Sequence, residues 1–571
     1  MKSVNSYSKA FRKDITGRNW IMVAIAFIAY FLIAIVPVLM NYHSFENVEY
    51  YAEEIADGSN VLLRLVHCVL PVVMSVSCFG YLHDKAAVTT VHARPTTRVQ
   101  LFHQASLQGF LLMLIPIVLI ALLMLPLGGA QVSPGYENVT SPASIFTLKN
   151  SVLFIVKSGI ILAVIYALSN LAAVLAGNRA IHALLALFLN AFPVCIVALF
   201  QTVLEAMWYG YEAGFDHMKY LHPALFGFNA HDMMGGWIFF VVITAVIYAV
   251  SVLAYKRVRL ERVGDACYFP VIADILCIVL TFMFSVTLGM IFAALLPDDA
   301  YDGKLSFILF TLITSVIGLI ITRMIADSTT RVFNRKLLKT AGIFAVCIAI
   351  FFAVSVFDVT GYQKRIPEAS QIESVEICTM FDDQYEGTWP NLSSEEAVEA
   401  VRTLHTSVVD SLQEEDENEE YMDGYVKLCY HLKNGRMLER RYSGLLLTKD
   451  HPIYDSMRTL YNVPEYRESS SLTNYIEKLK KIRKRSMTFS TNYEDYISVG
   501  KDDQEALLDA FRKDYEERSF EEQFDVWRDA HNDSFNIEIE NRASDTAYSS
   551  LLVSPSVDEN TTKLLKEKGY F

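Results

Sequence analysis

What most constrains this chain is the recurrence of apolar runs about as long as a bilayer is thick. A helix needs roughly 20 apolar residues to cross the hydrocarbon core. Nine stretches meet that requirement: residues 20–40, 61–81, 110–127, 152–176, 181–204, 237–255, 269–296, 305–325 and 341–357. Inside a bilayer the backbone must satisfy its own hydrogen bonds, so runs of this kind are helices. The first run is read as a retained span rather than a signal peptide: it is too long, it ends in Pro37-Val38-Leu39-Met40, and further spans follow it.

Charge divides the 571 residues into two bodies. Residues 1–360 carry 20 acids and 23 bases, residues 361–571 carry 43 acids and 26 bases, and the sum is −14. An apolar, slightly basic front therefore precedes an acidic back, and neither suits a nucleic-acid binder. Basic residues beside spans mark the cytoplasmic side. With the N-terminus inside, the inner segments hold eighteen bases and the outer loops before the last span hold three, Lys149, Lys219 and Lys304. Nine spans then place residues 360–571 outside the cytoplasm of a cell-membrane protein. The eight cysteines are too scattered for a disulfide framework or a zinc site, though Cys378 and Cys429, both in expected strands, leave one disulfide open.

Ionisable residues inside the spans are few. Arg64 and Lys157 lie near span ends, where long side chains reach the interface. His67 is read as packed against a neighbouring helix and Asp274 as exposed at the interface. An ion-coupled carrier would show buried carboxylates and repeated, broken helices, and the spans show no convincing repeat.

The segments between spans carry more pattern. In residues 1–19, Val4, Tyr7, Phe11 and Ile15 fall on one helical face and Lys9, Arg12 and Lys13 on another, as in a helix lying at the membrane surface; an ordinary basic flank is the other reading. The inner loop 83–106 contains Arg94-Pro95-Thr96-Thr97-Arg98 and then Leu101-Phe102. Pro95 breaks the chain direction and Thr96 or Thr97 can cap the next helix. This is a docking shape, with Leu101 and Phe102 as its apolar contacts. A second inner signal holds Arg257, Arg259, Glu261, Arg262 and Gly264.

Together with Leu175-Ala176-Gly177-Asn178-Arg179, and with Asp358-Val359-Thr360-Gly361-Tyr362 followed by Arg365-Ile366-Pro367, these stretches resemble a family of ABC-2-like ABC transporter permeases of Gram-positive bacteria. Arg94 before Pro95 and Val263 in place of alanine depart from the family pattern. The resemblance implies an interfacial helix (1–19), a six-span core (20–262), three added spans (263–359) and an extracytoplasmic α+β domain (360–571). It also implies coupling to a separate ABC ATPase subunit through Arg94, Pro95, Thr96, Arg98, Leu101 and Phe102. A second permease copy or a related permease would complete the pore within the membrane lipid. No Gly-x-x-x-x-Gly-Lys-Ser/Thr loop occurs, so the chain has no P-loop of its own. No cofactor, metal site or enzyme motif is expected. The loop 205–236, with Asp216, His217, His222, His231 and Asp232, reads as an interfacial or re-entrant segment.

In the back domain the expected elements are a short strand around Val375 and Ile377, a hairpin turning at Asn434-Gly435 between 425–432 and 436–442, and a strand at Phe535, Ile537 and Ile539. Helices are expected at 394–412, with a capping box of Ser393 and Glu396, and at 502–517. The basic run Lys478–Arg485 reads as a solvated helix face or a contact for anionic groups, and 414–420 as an exposed acidic loop. The fold expected is thus an all-α polytopic membrane domain followed by a soluble α+β domain. The function expected is a permease that exports a hydrophobic or peptide-like compound. The rivals are a mechanotransmitting or sensing protein whose outer domain is moved by an ATPase, and an ion-coupled carrier.

Overall fold

The computed structural model describes residues 2–41, 51, 54–55, 60–127, 145–226, 234–296, 303–381, 389–411, 423–446, 448–469, 474, 476–477, 480, 485–490, 496–528, 535–541 and 548–570. These form two compact units, one of residues 1–203 and 214–352, the other of residues 204–213 and 353–571.

The first unit is helical. Its spans are α1 (Lys2–Tyr30, continued through a wide turn at Phe31–Ile35 to Met40), α2 (Val61–Cys78), α4 (Arg98–Leu127), α5 (Leu148–Leu175), α6 (Arg179–Met207) and α7 (Met234–Arg257). They are followed by α8 (Pro270–Ala294), α9 (Gly303–Asp327) and α10 (Arg335–Ser355), with the short α3 (Lys85–His92) between α2 and α4. Among the described residues nine helices are long and apolar enough to cross a bilayer, and the protein is a multi-pass membrane protein. The nine expected runs all fall on these helices.

One boundary is corrected. Residues 2–19 and the first span are a single unbroken helix, not a surface helix followed by a span. Phe11 and Ile15 are buried in the unit's core, and Phe11 meets Tyr81 edge to face at 5.7 Å. The Phe11 and Ile15 part of the apolar face finds protein there while Tyr7 stays exposed, and Gln104 and Gln108 of α4 donate to Ser8 and Thr16 of α1.

With little hydrophobic force between helices in lipid, small residues and hydroxyls decide which pairs approach closely. α8 and α9 do so. A Cβ added at Gly289 would lie 2.0 Å from the Thr311 hydroxyl. Thr314 donates to the Ser285 carbonyl at 3.1 Å, and the Thr281 and Thr322 hydroxyls bond at 2.9 Å. At one level Phe200, Phe282 and Phe351 join α6, α8 and α10 through ring contacts of 5.0–5.9 Å.

The second unit holds two four-stranded antiparallel sheets. One is ordered β2-β1-β3-β4, from β1 (Ile372–Thr379), β2 (Asn391–Leu392), β3 (Asp423–Leu432) and β4 (Met437–Leu446); the other is β6-β5-β7-β8, from β5 (Arg485–Ser490), β6 (Tyr496–Ser498), β7 (Phe535–Asn541) and β8 (Tyr548–Val553). Each sheet takes a helix after its second strand, α11 (Glu395–Ser411) or α13 (Lys501–Glu517). Each takes another after its fourth, α12 (Pro452–Tyr461) or α15 (Glu559–Glu567), while α14 (Phe520–Arg528) lies between α13 and β7. The unit is therefore a ββαββα module built twice. Val398, Val401, Leu404 and Val408 of α11 are buried with Val375, Ile377, Val426 and Leu428. Leu507, Leu508 and Phe511 of α13 are buried with Met487, Ile537 and Val553.

Two local expectations shift by one residue. The hairpin loop has three residues, Lys433 to Gly435, because Leu432 N–H donates to the Arg436 carbonyl and Gly435 takes φ +76°; a type I turn closed by a left-handed glycine suits that length. The cap of α11 is Ser394, whose Oγ accepts from Ala397 N–H. The carboxylate expected from Glu396 comes instead from Glu465, which accepts the Ser393 and Ser394 N–H groups at 2.8 and 2.9 Å. Burial opposes the Glu465 charge, but these donors outweigh it and hold its carboxyl below the usual range. Cys378 faces Lys427 and Cys429 faces Glu376 across the strands, and no disulfide joins them.

Candidate functional site

Three of the sequence stretches singled out above are far apart in the chain, yet they meet at one end of the helical unit. The segment 80–100 is built by local rules. Asp84 accepts from Ala87 N–H and starts α3. The helix stops at Ala93, and Pro95, lacking an N–H, sits in the break. Thr97 and Gln100 then form a reciprocal capping box: Gln100 N–H donates to Thr97 Oγ1 at 3.2 Å and Thr97 N–H to Gln100 Oε1 at 3.1 Å.

Arg98 reaches across to the end of α7 and donates to the Val258 carbonyl at 2.9 Å and the Lys256 carbonyl at 3.4 Å. The last carbonyls of a helix lack internal partners and carry partial negative charge, so a guanidinium suits them. Leu101 and Phe102 are buried, the latter fully, with the Phe102 ring 5.3–5.6 Å from those of Phe79, Tyr248 and Tyr255. The exposed apolar contacts expected at these two positions are therefore corrected: α4 starts at Arg98, and its first turn points Leu101 and Phe102 into the aromatic cluster. The Tyr255 hydroxyl also bonds the Tyr81 hydroxyl at 3.2 Å and donates at 3.1 Å to Nε2 of His92, whose other ring nitrogen donates to the Val88 carbonyl.

The stretches 175–179 and 259–268 are zipped together. Tyr268 N–H donates to the Leu175 carbonyl at 2.8 Å, Gly264 N–H to that of Gly177 at 2.9 Å, and Gly177 N–H to that of Ala266 at 3.2 Å. Two glycines are required there. A Cβ at Gly177 would stand 2.3 Å from the Asp265 carbonyl oxygen, and Gly264 adopts φ +103°. The zipper is tied to the first segment by the Tyr268 hydroxyl, which donates to the Leu82 carbonyl at 2.6 Å, and by Arg179, which donates to that of Gly80 at 3.4 Å.

From this end a polar chain enters the bundle. The His83 and His182 rings bond at 3.1 Å, and His182 Nε2 lies 3.0 Å from the Ser169 carbonyl and 3.3 Å from Ser75, which donates to Asn170. Burial first, then the proximity of His182 and Arg179, pushes His83 down to about 3, so the ring stays neutral. Exposed on the cluster are Pro95, Lys85, Arg257, Arg259, Glu261 and Gly264, with Arg94, Thr96, Arg98 and Arg262 half-buried.

Sequence reasoning missed a buried charge group. Arg323, expected as an inner flanking base, is buried and pairs with Asp274 and with Asp327 at 2.9 Å. Asp274 is exposed, as expected, but it is also an ion-pair partner from the neighbouring helix. His67 is packed as expected, its Nδ1 2.8 Å from the Leu63 carbonyl and its ring against Tyr30.

In the second unit, the stretch from Asp358 folds on its own carboxylate, which accepts from Tyr362 N–H at 3.0 Å, Gln363 N–H at 2.9 Å and the Thr360 hydroxyl at 2.7 Å. Tyr362 stacks on Trp208 at 4.9 Å and lies 3.7 Å from the buried Arg440 guanidinium. Glu212 pairs with Lys427 at 2.8 Å. The role of residues 204–213 had no signal in the sequence. His231, Asp232, the acidic stretch 414–420 and most of the run Lys478–Arg485 lie outside the described residues. Among the described residues no group of His, Cys, Asp and Glu is arranged to hold a metal.

No family model, curated protein or solved structure matches the chain.

Proposed function

We propose that the chain is the membrane-spanning permease subunit of an ATP-driven transporter, with an ABC-2-like core. Its motif cluster faces the cytoplasm and residues 360–571 face outward. The observation that carries this reading is the cluster itself. Two inner-loop signals and the 175–179 stretch, more than 150 residues apart at the extremes, are bonded into one stiff body by Arg98, Tyr268 and Arg179. A stiff body joined to six spans, α2 and α4 to α8, is what a separate ATPase needs in order to move a membrane unit, and in this reading hydrolysis falls to that partner, in keeping with a sequence that holds no P-loop motif. Leu101 and Phe102 hold the body together from within, and docking falls to its exposed rim, Lys85, Pro95, Arg257 and Arg259. The cargo is a hydrophobic or peptide-like compound, and a second permease completes the pathway.

The test is co-purification of ATPase from the native host with chains carrying Lys85→Glu and Arg259→Glu. The expected result is a normally inserted protein that has lost its ATPase. Normal ATPase recovery with both charges reversed would refute docking at this rim.

A further inference from the structure

We propose that the helical unit carries a binding site for one anionic glycerophospholipid, its headgroup held where α8, α9 and α10 meet and an acyl chain laid in the slot between α6 and the α8–α9 pair. This rests on the nine membrane helices and does not depend on the transporter reading.

Two adjoining cavities carry the inference. One, of about 320 Å³, is lined almost wholly by apolar side chains, among them Leu184, Leu185 and Phe188 of α6, Leu276 and Leu280 of α8 and Ile325 of α9. The other, of about 310 Å³, is polar and includes Arg262, Lys336, Lys339 and Thr340. Ala266, Cys267, Ala273 and Ala326 line both, so the two adjoin across a thin wall of small residues. An apolar slot side by side with a charged pocket at a helix end has the amphiphilic pattern of a lipid, and basic pockets between spans are where anionic headgroups bind.

The charges favour an anion. Arg323 is buried and already neutralised by Asp274 and Asp327. Arg262 lies 3.8 Å from Asp265. Lys336 is 72% exposed and only 3.9 Å from the same Asp327 that Arg323 engages more closely. Lys339 is exposed too, and among the described residues no ion pair involves it. The lining thus has four bases against three carboxylates, with Lys336 and Lys339 the least committed. Further along α6 the Phe200–Phe282–Phe351 contact closes the gap between α6 and α8, which gives the slot a floor.

The experiment uses the full chain in detergent, titrated with phosphatidylglycerol or phosphatidylcholine and read by native mass spectrometry. Retention of one phosphatidylglycerol in preference to phosphatidylcholine is expected. Lys336→Gln with Lys339→Gln should weaken it about thirtyfold, from about 1 kcal/mol per surface-proximal lysine at about 1.4 kcal/mol per tenfold. Ala273→Leu, which narrows the slot, should weaken it while leaving both lysines in place, and an unchanged thermal midpoint reports that each variant is folded. Soluble glycerol phosphate should not compete. Equal retention of the two lipids, or undiminished binding by the folded double-lysine variant, would overturn the site. Full competition by glycerol phosphate would assign the pocket to a soluble anion and overturn the lipid.

Discussion

Phe102→Ala separates a structural role for the 83–106 segment from a docking role. The ring is fully buried against Phe79, Tyr248 and Tyr255, each with its centroid within 5.6 Å, so truncation leaves a cavity walled by rings that cannot collapse onto one another. Such truncations cost about 3–5 kcal/mol. At about 1.4 kcal/mol per tenfold, the population in which this end of the bundle is open should rise between about a hundred- and a few thousandfold. Amide hydrogen exchange on the full chain reads this directly. Peptides covering 79–92 and 248–258 should lose protection by that factor, and the thermal midpoint should fall. Phe333, 81% exposed, is the control, and its truncation should stay within about 0.5 kcal/mol. If Phe102→Ala matched wild type in exchange and melting but released a partner, the ring would be a docking contact, and the aromatic cluster would be wrongly described.

Two further outcomes are expected in the sheet-containing unit. His405 is buried between the Tyr430 and Tyr442 hydroxyls, at 2.9 and 2.8 Å, and burial together with Arg440 pushes it down to about 3. A depressed histidine adds no pH dependence above the unfolded value near 6.5. Below it the unfolded chain takes up a proton that the fold refuses, at about 1.4 kcal/mol per pH unit, so about 2 kcal/mol is lost by pH 5; thermal melts from pH 7.5 to 5 should show a shallower fall for His405→Asn, and equal slopes would refute the assignment. Asp558→Ala leaves the buried Arg518 without the carboxylate it grips at 2.5–3.0 Å. This should cost about 3–5 kcal/mol in urea melts, with Arg518→Met added to Asp558→Ala recovering most of it.

The sequence by itself determined the nine spans, because length and hydropathy are local properties and a bilayer leaves an apolar run of that length no other conformation. It also determined α11, α13 and the β3–β4 hairpin through periodicity and turn residues, and it drew attention to Arg98, Gly177, Gly264 and Asp358. Only the tertiary structure decided what these residues do. Gly177 matters because Asp265 passes over it, Arg98 because α7 ends beside it, and Arg323 because two aspartates lie within its reach. Phe102 lies inside rather than outside because α4 begins at Arg98, about three turns ahead of the run 110–127, and those turns pack against Phe79, Tyr248 and Tyr255. The doubled ββαββα module is likewise tertiary: strand order is set by pairings between segments tens of residues apart, which no local pattern encodes.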